Sequence, residues 1–262
     1  MWVWRTKAEH PRGVVVMVHG AGEHHGRYEW LRRKFLSKGF HIVAGDLPGQ
    51  GENPRKRGHI DSFNEIIEAV EKWFKTALAF QLPILVFGHS LGGLAVIRTL
   101  QEKSLSPRAV LLSSPCLGLV FPPPEWLVKM VRPLNTIMPA FMVTIKGPSG
   151  NRLATRNKEI LKKDAKDPWM VRKISIRWYF ELEKAMDLAK ARMPLFPDVP
   201  LFIFQAGNDK IVNKLAVKAW FDALPIKQKD YQEWPGLYHE IFNEPEREEV
   251  FQQALKKIQP YF

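Results

Sequence analysis

Ser90 lies between two glycines in Gly88-His89-Ser90-Leu91-Gly92, and a carboxylate and an imidazole, Asp209 and His239, follow it far down the chain. A hydroxyl, an imidazole and a carboxylate together perform nucleophilic acyl transfer. In that chemistry His239 takes the Ser90 proton as general base and later protonates a leaving alcohol. Asp209 holds the other ring nitrogen and stabilises the imidazolium. Negative charge developing on the substrate oxygen needs backbone N–H donors, and Leu91 and Ala21 are placed to supply them.

Such a serine must stand at the tip of a sharp turn, where its backbone crowds both flanks. Only residues without Cβ tolerate that crowding, which accounts for Gly88 and Gly92. The alternative is a glycine-flanked surface serine in an ordinary turn. The apolar run Ile84-Leu85-Val86-Phe87 before the motif and the helix-compatible segment after it favour the strand, turn and helix of a nucleophile elbow. The helix after Ser90 would aim its free N–H groups at the reaction centre. Upstream, Gly13-Val14-Val15-Val16-Met17-Val18 reads as a buried strand running into His19-Gly20-Ala21-Gly22-Glu23-His24, whose glycines let the Ala21 N–H turn toward the same centre.

Seven other histidines compete for the role of base. His19, His24, His25, His41 and His59 precede the elbow, and His89 inside it points away if Ser90 points out. His10 sits in a polar connection where a lone histidine is solvated, which leaves His239. Asp46 is the rival carboxylate. It lies in the turn-rich stretch Asp46-Leu47-Pro48-Gly49-Gln50-Gly51, where a loop-stabilising role suits it better.

The elements that must hold these residues alternate at βαβ intervals. Edge strand 1–6 and strands at 13–18, 40–44, 84–87, 109–112, from 199 and at 231–234 are separated by helical patterns at 28–38, 62–77, directly after Ser90 and at 212–223, with a last helix beginning around 243–245. The pattern predicts an α/β fold: a mostly parallel sheet with helices on both faces and each candidate residue at a strand's carboxyl end. The rhythm stops over 118–196. That block holds Pro122-Pro123-Pro124, apolar clusters and a predicted helix over 168–192, and reads as an inserted helical cap, with 1–117 and 197–262 as the core.

The 262 residues, 45% of them hydrophobic, suffice for one large core. The single cysteine, Cys116, forms no internal bridge and reads as a small buried hydrophobe. No run reaches the roughly 18 apolar residues that span a bilayer, and no signal-peptide pattern opens the chain, so a cytoplasmic protein is expected. No cluster shows metal-ligand spacing, and the chemistry above requires neither metal nor cofactor. The net charge is +12. Without an aromatic and basic surface or a known module, nucleic acid is not expected as a partner. The oligomeric state is not legible.

Beyond these residues, the set His19-Gly20-Ala21-Gly22-Glu23-His24 with Arg27-Tyr28, Asp46-Leu47-Pro48-Gly49-Gln50-Gly51, Arg57-Gly58 and Gly88-His89-Ser90-Leu91-Gly92-Gly93 resembles the monoacylglycerol lipase and lysophospholipase family of α/β-hydrolases. The resemblance covers nearly the whole core. It implies a serine esterase acting on lipid monoesters under a mobile apolar cap, with Ala21 and Leu91 as oxyanion donors. The chain departs from the family at its second turn, where the pattern D-x-x-G-H-G-x-S meets Gln50 and Asn53. The cap matches only through Asp167-Pro168 and the helix after it.

Two other functions share the scaffold: a carboxylesterase or thioesterase for smaller acyl groups, and a catalytically silent binding protein. The complete triad argues against the second. Between Lys129 and Arg177, twelve Lys and Arg face three acids, so most of the charge excess sits in the cap. Together with Trp126, Met130, Ile137 and Phe141 it predicts either peripheral docking on an anionic membrane, at its inner surface, or a solvated basic helix over an apolar substrate tunnel.

Overall fold

The computed structural model describes residues 1–144 and 153–262. Lys146 and Arg152, counted above in the basic segment, lie outside the described residues.

The first half of the chain runs β1 (Trp2–Trp4), β2 (Gly13–Val18), α1 (Glu29–Ser37), β3 (Phe40–Ala44), α2 (Asn64–Leu78), β4 (Ile84–His89), α3 (Leu91–Glu102) and β5 (Ala109–Ser113). The inserted block follows as α4 (Glu125–Val131), α5 (Leu134–Ile137), β6 (Met142–Thr144), α6 (Lys158–Lys166), β7 (Lys173–Ser175) and α7 (Ile176–Ala191). β8 (Leu201–Ala206), α8 (Lys214–Ala223), β9 (Lys229–Trp234) and α9 (Arg247–Ile258) complete it.

Seven strands form one sheet in the order β1-β3-β2-β4-β5-β8-β9. Only β1 is antiparallel. The strands of the middle are apolar on both faces because both faces are covered. Val14, Val16 and Val18 point into one apolar cluster with α2, α3, α7 and α8, while Val15 and Met17 point into the other with α1 and α9. The two-residue period of a strand thus divides one run of valines between two cores.

The segment between β5 and β8 differs from the expected inserted helical cap in two ways. β6 and β7 pair antiparallel as a small separate sheet. The helix predicted from 168 begins instead at Ile176, because the chain at Asp167 and Pro168 forms a turn. Asp167 Oδ1 accepts the Trp169 N–H at 2.8 Å, and the true cap is Ser175, whose hydroxyl accepts from Trp178 N–H. α4 and α5 bury no residue, whereas α7 buries seven and packs on α3. The last helix also starts later than expected, at Arg247, since the Glu244 side chain is buried and bonded to Thr155, Arg156 and Tyr238.

Candidate active site

Ser90 stands between β4 and α3 with φ 52° and ψ −118°, a conformation that an L-residue holds only under constraint. Three backbone hydrogen bonds impose it. The Ser90 N–H donates to Ser113 O at 2.9 Å, and Ser90 O accepts from Leu94 at 3.1 Å and from Cys116 at 3.0 Å. The flanking glycines are required by contact: a Cβ on Gly88 would lie 2.6 Å from Gly92 O, and one on Gly92 would collide with the Val18 and His19 carbonyls. The elbow is therefore wedged against β2, which delivers the loop carrying Ala21. Among the described residues no hydrogen bond occupies the Ala21 or Leu91 N–H, so both donors stay available to a ligand.

Asp209 and His239 follow β8 and β9, neighbours in the sheet, and meet there. His239 Nδ1 lies 2.8 Å from Asp209 Oδ2. Asp209 Oδ1 accepts the Ile211 and Val212 N–H groups, each at 2.9 Å, and Gln205 donates to Oδ2 at 3.1 Å. Burial opposes ionisation of Asp209, yet the adjacent His239 and these donors outweigh it and hold its carboxyl below the usual range. Burial likewise opposes protonation of His239, and the Asp209 carboxylate reverses the balance and raises it. The His239 ring lies with its centroid 4.7 Å from that of His89, the residue before Ser90, so the pair stands beside the elbow. His89 does not leave the site altogether, as its place inside the elbow suggested. Its Nδ1 donates to Ser113 O at 3.1 Å, and burial and His239 push its pKa down to about 3, which keeps it neutral.

The competing side chains have other work. His19 accepts the Leu47 N–H at Nε2 and bonds Gly20 O through Nδ1, tying the loop that bears Ala21 to the next turn. Asp46 accepts the His25 and Glu52 N–H groups at 2.8 and 2.7 Å and closes its own turn. Gln50 accepts the Gly22 N–H, and Asn53 donates to Asp46 O, so both residues that depart from the family pattern brace the same loops. No metal-ligand spacing is visible in the sequence, but the fold brings side-chain atoms of His25, Asp46 and Glu52 within 4.8 Å of one another. Both Asp46 oxygens already accept hydrogen bonds there.

One cluster escapes a reading of the sequence. Arg27, buried, meets Glu23, Asp164 and Glu240 at 2.9, 2.6 and 2.9 Å. The signal was present in Arg27-Tyr28 beside the loop motif and in Glu240 beside His239, but nothing in the sequence places Asp164 against either.

A family model described as serine aminopeptidase, S33 (Hydrolase_4) matches residues 9–246. Phospholipase YtpA of Bacillus subtilis is 47% identical over 256 residues, covering 97% of each chain. The monoacylglycerol lipase of Mycolicibacterium smegmatis is 28% identical, over 98% of this chain and 91% of its own. Among solved structures, the crystal structure of Paleococcus ferrophilus monoacylglycerol lipase superposes with a TM-score of 0.86 at 30% identity over the whole of both chains. The sheet, its flanking helices and these relatives make the fold that of the α/β-hydrolases, and the chain is a serine hydrolase belonging to the S33 serine aminopeptidase family.

Proposed function

We propose that the chain hydrolyses carboxylic monoesters of long-chain lipids, monoacylglycerol or lysophospholipid, through an acyl-enzyme on Ser90. The observation that carries the reading is the hydrogen-bonded Asp209 and His239 pair beside a serine held at φ 52° on its elbow. His239 takes the Ser90 proton as Oγ attacks the ester carbonyl, and the Ala21 and Leu91 N–H groups receive the charge that moves onto the carbonyl oxygen. Collapse of that intermediate breaks the ester bond. The alcohol leaves with the proton from His239, the acyl group stays on Ser90, and a water activated by His239 releases it as the fatty acid.

Residues 1–117 and 197–262 act as catalytic core and 118–196 as cap, with α7 as the cap's anchor and α4 and α5 as its lipid-facing part. Trp126, Met130 and Ile137 are 64, 69 and 75% exposed there, which favours a long acyl chain over the small esters of a carboxylesterase or thioesterase. Among the described residues no helix is long and apolar enough to cross a membrane. Contact with an anionic membrane is therefore peripheral in this reading, on the cytoplasmic side, aided by the exposed Lys162, Lys163 and Lys166 of α6.

A panel of monoacylglycerols, lysophospholipids and short esters, assayed with wild type and Ser90→Ala, tests the proposal. Long-chain monoester turnover that Ser90→Ala loses supports it. A preference for short esters would transfer the chain to the carboxylesterases.

A further inference from the structure

Arg27 lies on a single 3₁₀ turn, His25–Tyr28, just past the loop that carries Ala21. Its five N–H groups face five carboxylate oxygens on three separate segments. Nε and Nη2 reach both oxygens of Asp164 at 3.0 and 2.6 Å, Nη1 and Nη2 reach both oxygens of Glu240 at 3.1 and 2.9 Å, and Nη1 also meets Glu23 Oε1 at 2.9 Å. Glu23 belongs to the Ala21 loop and bonds Tyr28 OH at 2.8 Å. Glu240 directly follows His239, and Asp164 is the one buried residue of α6.

We propose that Arg27 is a positioning residue that clamps the loop carrying Ala21 to the turn carrying His239, with α6 as the third member held in the same grip. The inference rests on the reading of His239 as the general base and Ala21 as an oxyanion donor. Those two groups come from opposite ends of the chain and must share one substrate carbonyl, so their separation has to be set by something that touches both segments. Arg27 does so with direct ion pairs, to Glu23 on one segment and Glu240 on the other. Its planar fork engages two carboxylates bidentately and a third at one edge, a geometry that the three donors of a lysine cannot reproduce. Apolar side chains would hold a cap to a core at least as well as buried ions, so adhesion alone does not account for four buried charges.

The cluster also carries an electrostatic signature. Three carboxylates surround one guanidinium, leaving an excess of negative charge that faces His239 and the neutral His89, whose Nε2 is 3.9 Å from Glu23 Oε1. Among the described residues, the charged and titratable groups around the base are then Asp209 and His89 in contact with it, and Glu23, Tyr28, Arg27, Asp164 and Glu240 behind it. Removing Arg27 deepens the negative field and favours the imidazolium; neutralising Glu240 does the reverse.

The test is kinetics of Arg27→Gln, Arg27→Lys, Glu240→Gln and Asp164→Asn, with kcat expressed per Ser90 site that reacts with a fluorophosphonate, so that unfolded protein does not count. Arg27→Gln is expected to lose on the order of 10²-fold in kcat per reactive site, with KM changed only a few-fold, and Arg27→Lys to recover only part of it. The acid limb of kcat/KM should move to higher pH in Arg27→Gln and to lower pH in Glu240→Gln. Should Arg27→Gln fail to fold, the isosteric Glu240→Gln carries the test through its downward shift. Unchanged kcat per reactive site and an unmoved acid limb would reduce the cluster to cement. A His239→Ala control separates the two readings: if it stays active, the assignment of the base has failed, not the clamp.

Discussion

The Nδ1 atom of His239 sits 2.8 Å from Oδ2 of Asp209, while the other Asp209 oxygen is held by the Ile211 and Val212 N–H groups. With both oxygens constrained, the carboxylate dictates which ring nitrogen of His239 carries the proton. Asp209→Asn keeps the shape but presents an amide that favours the wrong tautomer. It should fold normally and lose on the order of 10⁴-fold in kcat, read in a steady-state ester assay beside a thermal melt.

Gly92 tests the elbow's packing. An added Cβ would collide with the carbonyls of Val18, the last residue of the buried strand β2, and of His19 just after it, which cannot withdraw. At Gly236 the φ is 78° but nothing lies within 4 Å, so Gly236→Ala incurs only the left-handed backbone term of about 1 kcal/mol. Gly92→Ala should therefore lower the melting temperature more than Gly236→Ala and abolish serine-probe labelling; equal melting shifts would contradict this packing.

Asp46 makes a pH prediction. Burial opposes its ionisation, but the hydrogen bonds from His25, the neighbouring His19 and the Glu52 N–H lower its pKa to about 2 from an ordinary 3.8. The folded value lies below the unfolded one, so the unfolded chain binds the proton more readily. The stabilisation, roughly 2 kcal/mol, is full above about pH 4 and is lost as pH falls through about 2. Asp46→Asn should destabilise the protein at pH 7 without a catalytic loss of the Asp209→Asn size, and should flatten the stability profile between those values in acid melts.

Much of this was legible because it is local or periodic. The elbow announces itself in two glycines around Ser90, and the valine run of β2 could only be a strand covered on both faces. Chain order and their places after strands singled out Asp209 and His239, which the fold brings into hydrogen-bond contact. What could not be read depends on distant contact. Pairing of β6 with β7 joins residues about thirty apart through three-residue strands, too short for an alternation to register. Asp167-Pro168 carries a helix-start signal, and only the Asx turn to Trp169 shows why the helix waits until Ile176. The Arg27 cluster gathers acids from three segments, and a charge buried by tertiary packing looks, in sequence, like any solvated one.

Membrane contact through the cap is open to direct assay. Attraction to anionic lipid is screened beyond roughly 8 Å at physiological salt. Binding to anionic vesicles should weaken sharply as salt rises while neutral vesicles bind poorly throughout. Charge reversal at Lys162, Lys163 and Lys166 should reduce vesicle binding and leave turnover of a soluble short ester intact. Equal, salt-insensitive affinity for neutral and anionic vesicles would leave the cap only its role over the acyl site.

The most direct measurement is the site of acylation itself. Wild-type protein and Ser90→Ala are each treated with a fluorophosphonate and, separately, quenched in acid during turnover of a long-chain monoacylglycerol, and the adduct is located by peptide mass spectrometry. The expected result is one phosphonyl group per chain and a trapped acyl group, both on Ser90 and both absent from Ser90→Ala. Labelling at another residue, or hydrolysis that persists in Ser90→Ala, would contradict the mechanism.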